Sequence, residues 1–458
     1  MALDIGKNGI VQRQEGGAVT IVRPHRNGGP AVEIEVPEKL ADEYRLATGD
    51  IVQGATEPTF FGLTQTDLDD DDVELEPGWD TQWDEPSALS REGPVTPVPK
   101  RRDPTERLVA ISRINDLDLS EAEDRPFARS KRSNSERVPP DQPFTLATGP
   151  DDYTGRMLDF AAPLGAGMFG IVYGAHGAGL SRTLQATLKG IVASMPDVVP
   201  LVLLLRPRAE EATEWRRRVP EAEIVAASSE FDGGAAEDTV RICSLVLETA
   251  QRQTELGRDV ALIVDSLTAL WAALLEFEEA DAQHEADTST ARVQIREWAA
   301  RAGCFHGSGP LGGGLGGTLT ILGSVWHQGI DIEAEEERDT HPHLRLLEHL
   351  LPEASWLVAL SEQLMQRRLF PAIDIKRCLS NGEDRLLPKD LTEEILTVRG
   401  SLPRKDPVAA HLRTMEAFDR SKDTRSFLEK LKTINQRADE KEAEEGEAPR
   451  YKTWPEML

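Results

Sequence analysis

Hydrophobic and polar positions change their period along the chain. Over residues 18–24, "AVTIVRP", and 31–37, "AVEIEVP", apolar and polar residues alternate, and "RLATGDIVQG" at 45–54 reads as a turn running into a strand. A period of two marks half-buried strands, so residues 1–58 are expected to form a small β domain. The pattern lapses over 59–104, where the acidic run "DLDDDDVELEPGWD" gives way to Pro-rich "PVTPVPKRR". Like charges and prolines bury too little apolar surface to fold, so this stretch is expected to be a disordered linker. Residues 105–140 then make a connector. It holds one strand candidate, "RLVAISRIND", and a polar basic stretch, "RPFARSKRSNSERVPP".

From residue 141 continuous apolar runs alternate with helical periods. "GIVYG" precedes a helix with Leu184, Leu188, Ile191 and Val192 on one side. "PLVLLL", "VALIVDS" and "GTLTILGSV" read as buried strands. Val240, Cys243, Val246, Leu247 and Ala250 share a helix face that Gly257 would end. Alternation of this kind predicts an α/β domain with a mainly parallel sheet and helices on both faces. It is set at 141–432 and closes with C-terminal helices, followed by a charged tail at 433–458.

Composition narrows the choices. The chain has 458 residues, enough for two or three domains, and no apolar run as long as the ~18 residues of a membrane span. The start, "MALDIGKNGIVQRQ", has no apolar core of a signal peptide. Three scattered cysteines, Cys243, Cys304 and Cys378, fit a reducing compartment and no metal spacing. A cytoplasmic protein is expected. A formal net charge of −28 sets the average field against nucleic acid, whose affinity draws on Lys and Arg. His341 and His343 lack a third ligand at useful spacing and read as loop.

The stretch "GAHGAGLSRTLQ", 174–185, carries the chemistry. It stands between an apolar strand and a helix, where a phosphate-binding loop would be. Such a loop holds phosphate with backbone N–H groups and a helix N-terminus. Gly174 and Gly179 have the spacing of G-x-x-x-x-G-K-[ST], Gly177 adds freedom, and Ser181 supplies the hydroxyl that would hold Mg²⁺. Leu180 occupies the lysine position. That removes a charged hydrogen bond to phosphate worth about 1.5–3 kcal/mol. Arg182 lies two positions on, about 200° around the helix, and should point elsewhere.

Several segments in order resemble the bacterial transcription termination factor Rho family, ring-forming hexameric ATPases of the RecA type. They are "GRMLDFAAPLGAGMFGIVYGAHGAG", "EEATEWRRRVPEAEIVAASSEFD", "RDVALIVDSLTALW", "GGTLTILGSV" and "RRLFPAIDIKR", and "RLATGDIVQG" resembles a turn of that family's RNA-binding barrel. The resemblance implies a RecA-like P-loop core preceded by a small OB-type, cold-shock-like β barrel. It implies ATP and Mg²⁺ as ligands, with Ser181 and Asp265 on the metal and Phe370 beside the base. It makes Arg377 an arginine finger offered to a neighbouring subunit. The catalytic glutamate's position is Pro207, between Arg206 and Arg208, and Arg208 keeps a phosphate contact as its functional reading. Leu180 and Pro207 strike the two parts phosphoryl transfer needs most, so ATP hydrolysis is expected to be impaired or absent.

The family's RNA surfaces are altered too. Residues 1–58 contain one aromatic, Tyr44, where stacked bases would need several. Arg23, His25 and Arg26 read as a solvated loop, and Lys100–Arg102 and Arg129–Arg132 as candidate RNA tethers. The loop after "LTI" carries Asp331, Glu333, Glu335, Glu336 and Glu337, which repel a polyanion, and the other channel loop is the flexible "HGSGPLGGGLGG". The expected partners are further copies in a ring, hexameric by resemblance, or an active Rho in a mixed ring, with RNA polymerase by family, weak RNA binding and no membrane. The alternatives are a divergent, active RNA-dependent ATPase and a nucleotide-independent scaffold.

Overall fold

The computed structural model describes residues 5–14, 16–24, 31–58, 106–118, 136–227, 236–281, 289–306, 317–327, 342–403 and 406–445. The expected linker at 59–104 lies outside them, as do His25 and Arg26, both candidate RNA tethers, the acidic segment 331–337, the glycines at 307–316, His341 and the last residues of the tail.

The N-terminal part is a small barrel. Its strands are β1 (Ile10–Arg13), β2 (Val19–Arg23), β3 (Val32–Val36), β4 (Val52–Pro58), β5 (Glu106–Ile114) and β6 (Leu117–Asp118). The order is β1-β2-β3-β5-β4, with β6 paired to β5. Ile10 bridges back to Ile51, and Val11 donates to the Asp50 carbonyl, so the sheet closes on itself. Val11, Ile21 and Ile34 are register neighbours and all buried inside. That is what the alternating pattern dictates: one residue in two enters the barrel. The strand "RLVAISRIND", read from sequence as part of a connector, hydrogen-bonds into this sheet between β3 and β4.

The second part is an α/β layer. Its strands are β7 (Glu136–Val138), β8 (Phe169–Ala175), β9 (Val199–Leu205), β10 (Glu223–Ala227), β11 (Val260–Asp265), β12 (Gly303–His306), β13 (Thr318–His327), β14 (Trp356–Ala359) and β15 (Leu379–Ser380). The order β10-β9-β11-β13-β8-β14-β15 is parallel throughout except at β15, while β12 and β7 add antiparallel pairings beside β13. Every residue of β9 is buried, as a strand covered on both faces requires. Helices Leu180–Ser194 and Ala236–Glu255 fall in different apolar clusters, on opposite sides of the sheet. Leu184, Leu188 and Ile191 are fully buried, as their spacing predicts.

The last helix, Thr424–Glu445, runs well into the region read as a charged tail. Leu428 and Leu431 bury its inner face, and Asn435 donates to the Ser401 hydroxyl at 2.8 Å. Among the described residues no helix is long and apolar enough to cross a membrane.

Candidate nucleotide site

β8 delivers the chain into the turn 176–179 and the helix Leu180–Ser194. Gly177 and Gly179 have φ of +88° and +99°, a region other L-residues avoid. Gly179 caps the helix, and a Cβ there would meet nothing within 4 Å. The first amides of a helix lack intrahelical acceptors. Here the ladder begins when Thr183 donates to the Gly179 carbonyl at 2.9 Å. The earlier N–H groups are therefore presented toward the loop. This backbone fits a phosphate.

The side chains fit it less well. Leu180 is only 9% exposed and belongs to the large apolar cluster with Ala178, Leu184 and Leu188. An apolar side chain gains about 1.5–3 kcal/mol by burial, so the helix start turns inward where an ammonium would turn out. Ser181 and Arg182 are exposed. Thr183 is buried and spends its hydroxyl on the Gly179 carbonyl.

Asp265 ends β11, and its carboxylate accepts a 2.6 Å hydrogen bond from the Ser324 hydroxyl on the neighbouring β13. The register sets Asp265 beside Leu204, with Ser324 beside Val172 of β8. Asp265 is thus two strands from the glycine loop's own strand, about 10 Å across the sheet. A carboxylate held this way, with the exposed Ser181 hydroxyl, has the oxygen chemistry that Mg²⁺ takes. Among the described residues no group of three or more His, Cys, Asp and Glu could hold a metal ion, so such an ion would need a phosphate and water to complete its shell.

Beyond β9 the chain holds no acid at the position the resemblance assigns to catalysis. Arg206, at φ +49°, sets both guanidinium nitrogens on the Glu276 carboxylate of helix Leu267–Asp281. That hydrogen bond raises its pKa further. Pro207 is buried and Arg208 is exposed. The Arg208 N–H donates to the Glu211 carboxylate at 3.0 Å, so Glu211 caps its own helix. Arg208 also stands three strands from β8, about 14 Å by strand spacing.

The segment "FPAIDIKR" returns to the loop's side. Asp374 donates its N–H to the Ala359 carbonyl at the end of β14. This brings the Arg377 guanidinium to 5.9 Å from the centre of the Tyr173 ring on β8. Burial raises the Tyr173 pKa, and the Arg377 charge opposes the rise. Phe370 is 51% exposed and so is not a core residue. The structure therefore gathers Gly174, Gly177, Gly179, Tyr173 and Arg377 at one corner and leaves Arg208 elsewhere. Tyr173 and Glu276 were not singled out in the sequence. Tyr173 had a signal, as a hydroxyl-bearing aromatic in an otherwise apolar strand. Glu276 had none, because its partner lies 70 positions away.

Comparison with known proteins follows the same lines. Residues 155–380 match the ATP synthase alpha/beta family, nucleotide-binding domain. Transcription termination factor Rho of Aquifex aeolicus is 27% identical over 367 residues, covering 78% of this chain and 79% of that protein. The chain is a divergent Rho-like protein. Rho of Rhodopirellula baltica is 26% identical over 70% of the chain, and Rho of Haemophilus influenzae 29% identical over 62%. The chain spans only 60% and 63% of those two. Among solved structures, an ATPase from the type III secretion system of pathogenic bacteria is similar at 15% identity and a TM-score of 0.49, covering 65% of this chain and 86% of that one. That likeness is too remote to bear on function.

Proposed function

We propose that this Rho-like chain is a ring subunit of the transcription-termination sphere that holds nucleotide weakly and hydrolyses it poorly or not at all. The observation that carries the reading is Leu180, buried in the core at the place of the phosphate-binding lysine. Pro207, buried where the water-orienting carboxylate is expected, supports it from a second strand.

In this reading the amides around Gly177 and Gly179 cradle the phosphates of ATP. Ser181 and Asp265 hold its Mg²⁺, and the half-exposed Phe370 meets the base. Bound Mg²⁺ would supply charge neutralisation at the phosphates. With neither Lys nor Glu, the chain lacks both the charge that stabilises the transferring phosphoryl and the group that orients water. Arg377 would serve a neighbouring subunit only after leaving Tyr173. That suits a subunit that completes or regulates a ring, including a mixed ring with an active Rho. RNA binding would be weak, because residues 5–58 offer Tyr44 alone for stacking and the net charge is −28.

The test is ATP binding by calorimetry and turnover by phosphate release, on the purified chain with Mg²⁺, with and without poly(C). Binding without turnover is expected. RNA-stimulated turnover would refute the proposal.

A further inference from the structure

The barrel's outer face points to a device that the nucleotide site does not involve. In five-stranded barrels of this order, oligonucleotides lie on the outer face of strands 2 and 3. Register assigns that face here. Ile10, Val22 and Glu33 form one row, and Gln12, Thr20 and Glu35 the next, while Val11, Ile21 and Ile34 point inside. Yet this outer face is not open. Ile10 and Val22 are 0% exposed and Thr20 is 6% exposed. Ile10 and Val22 share an apolar cluster with Ile242, Cys243 and Val246 of helix Ala236–Glu255.

Polar contacts fix the same arrangement. Arg241 of that helix donates to Gln12 on β1 at 2.7 Å and to Glu33 on β3 at 2.6 Å. Its side chain is 12% exposed and that of Glu33 15%. About three helical turns beyond, Arg252 donates to the Thr48 carbonyl, and Gln253 reaches the Asn115 side chain. A Cβ on Gly49 would sit 2.7 Å from the Glu248 carbonyl carbon, so the "ATGD" turn lies directly on the helix backbone. The helix therefore runs along the barrel from its strand face to its turn.

We infer that helix Ala236–Glu255 occupies the nucleic-acid face of the barrel, as a built-in cover latched by Arg241 on Glu33. Single-stranded nucleic acid is excluded from that face while the latch holds. The face is suited to this occupant. Its carboxylates Glu33 and Glu35 meet arginines, Arg241 and Arg107, and would repel a phosphate backbone. The inference does not depend on how the chain treats ATP.

Thiol labelling tests it. Thr20→Cys is nearly isosteric, and the Thr20 hydroxyl has no hydrogen-bond partner to lose. Ala110→Cys, on the exposed face of β5, is the reference. Each is labelled with maleimide in the full chain and read by peptide mass, which separates it from the native cysteines. Thr20→Cys should label about a hundredfold more slowly than Ala110→Cys, as a site that reacts only through local opening does. Adding Arg241→Glu should speed it at least about tenfold, since it leaves Glu33 facing a like charge. Adding Glu33→Arg as well should slow it again. A short oligo-uridylate should leave the labelling of Thr20→Cys unchanged. Labelling as fast as at Ala110→Cys, indifference to Arg241→Glu, or a response to the oligonucleotide would each overturn the inference.

Discussion

The barrel and the α/β layer differ in how a family surface is altered. At the glycine loop the surface is open and its backbone intact, with φ positive at Gly177 and Gly179, but its charged side chain is replaced by a buried leucine. On the barrel the backbone is again intact, with five strands closing in order, but the surface itself is covered by a helix of the same chain. The scaffold survives in both because apolar patterning and hydrogen bonding specify it. The chemistry rests on a few side chains, which can change while the fold stays. In the proposed reading, one region loses its reagent and the other its access.

The largest effect should come from testing whether the two regions stand as one body. Trp356 is fully buried in β14 and donates its indole N–H to the Ala162 carbonyl at 2.7 Å. Trp356→Ala should cost about 3–5 kcal/mol in urea unfolding. If the barrel is latched to the layer, barrel and layer should melt together in this variant. Two separated transitions would show that the latch is weak.

Acid should also distinguish the regions. Asp159, in helix Tyr153–Ala161, accepts from the Leu146 and Ala147 amides, yet burial pushes its pKa up to about 6. Between the usual carboxylate range and that value the folded chain keeps a proton that the unfolded chain releases. Stability from this group is therefore present at low pH and lost as pH rises through about 6. The stability of Asp159→Asn relative to wild type should climb by ~2–3 kcal/mol from pH 4 to pH 7. A difference that stays flat across this range would contradict the assignment.

Leu180→Lys should destabilise the free protein by about 2 kcal/mol, because it gives up a buried leucine. Saturating ATP with Mg²⁺ should recover part of that loss, read as a rise in Tm. If the cradle is intact, the pair Leu180→Lys with Pro207→Glu should gain turnover. Inertness of the pair would mean that more of the site has decayed than these two positions. The smallest effect belongs to Arg206→Ala. Its ion pair with Glu276 is a third to a half exposed, so about 0–1 kcal/mol is expected. A larger loss would point to a role beyond the pair.

Much of the layer was legible because its signals are local. The spacing of Leu184, Leu188 and Ile191, the apolar run of β9 and the glycines of the loop all lie within a dozen residues. So does the replacement at Leu180, and its burial follows from its apolar character. What escaped depends on distant partners. The strand at 106–114 could be recognised as a strand, but joining β3 and β4 is a matter of long-range pairing. The Arg241 contacts with Glu33 and Gln12 span more than 200 positions. In the last helix, dense charge concealed the continuation past residue 432, where Asn435 is still buried.

The central claim is that a phosphate cradle persists here without the means of hydrolysis. Measuring ATP binding and phosphate release together on the purified chain, with Mg²⁺ and with poly(C) present or absent, tests it most directly. The account predicts weak, Mg²⁺-dependent binding, diminished by Asp265→Ala, with no turnover in either condition. Turnover stimulated by RNA would contradict it and make the chain a divergent motor. Absence of binding would contradict it too, leaving the glycine loop as fold alone.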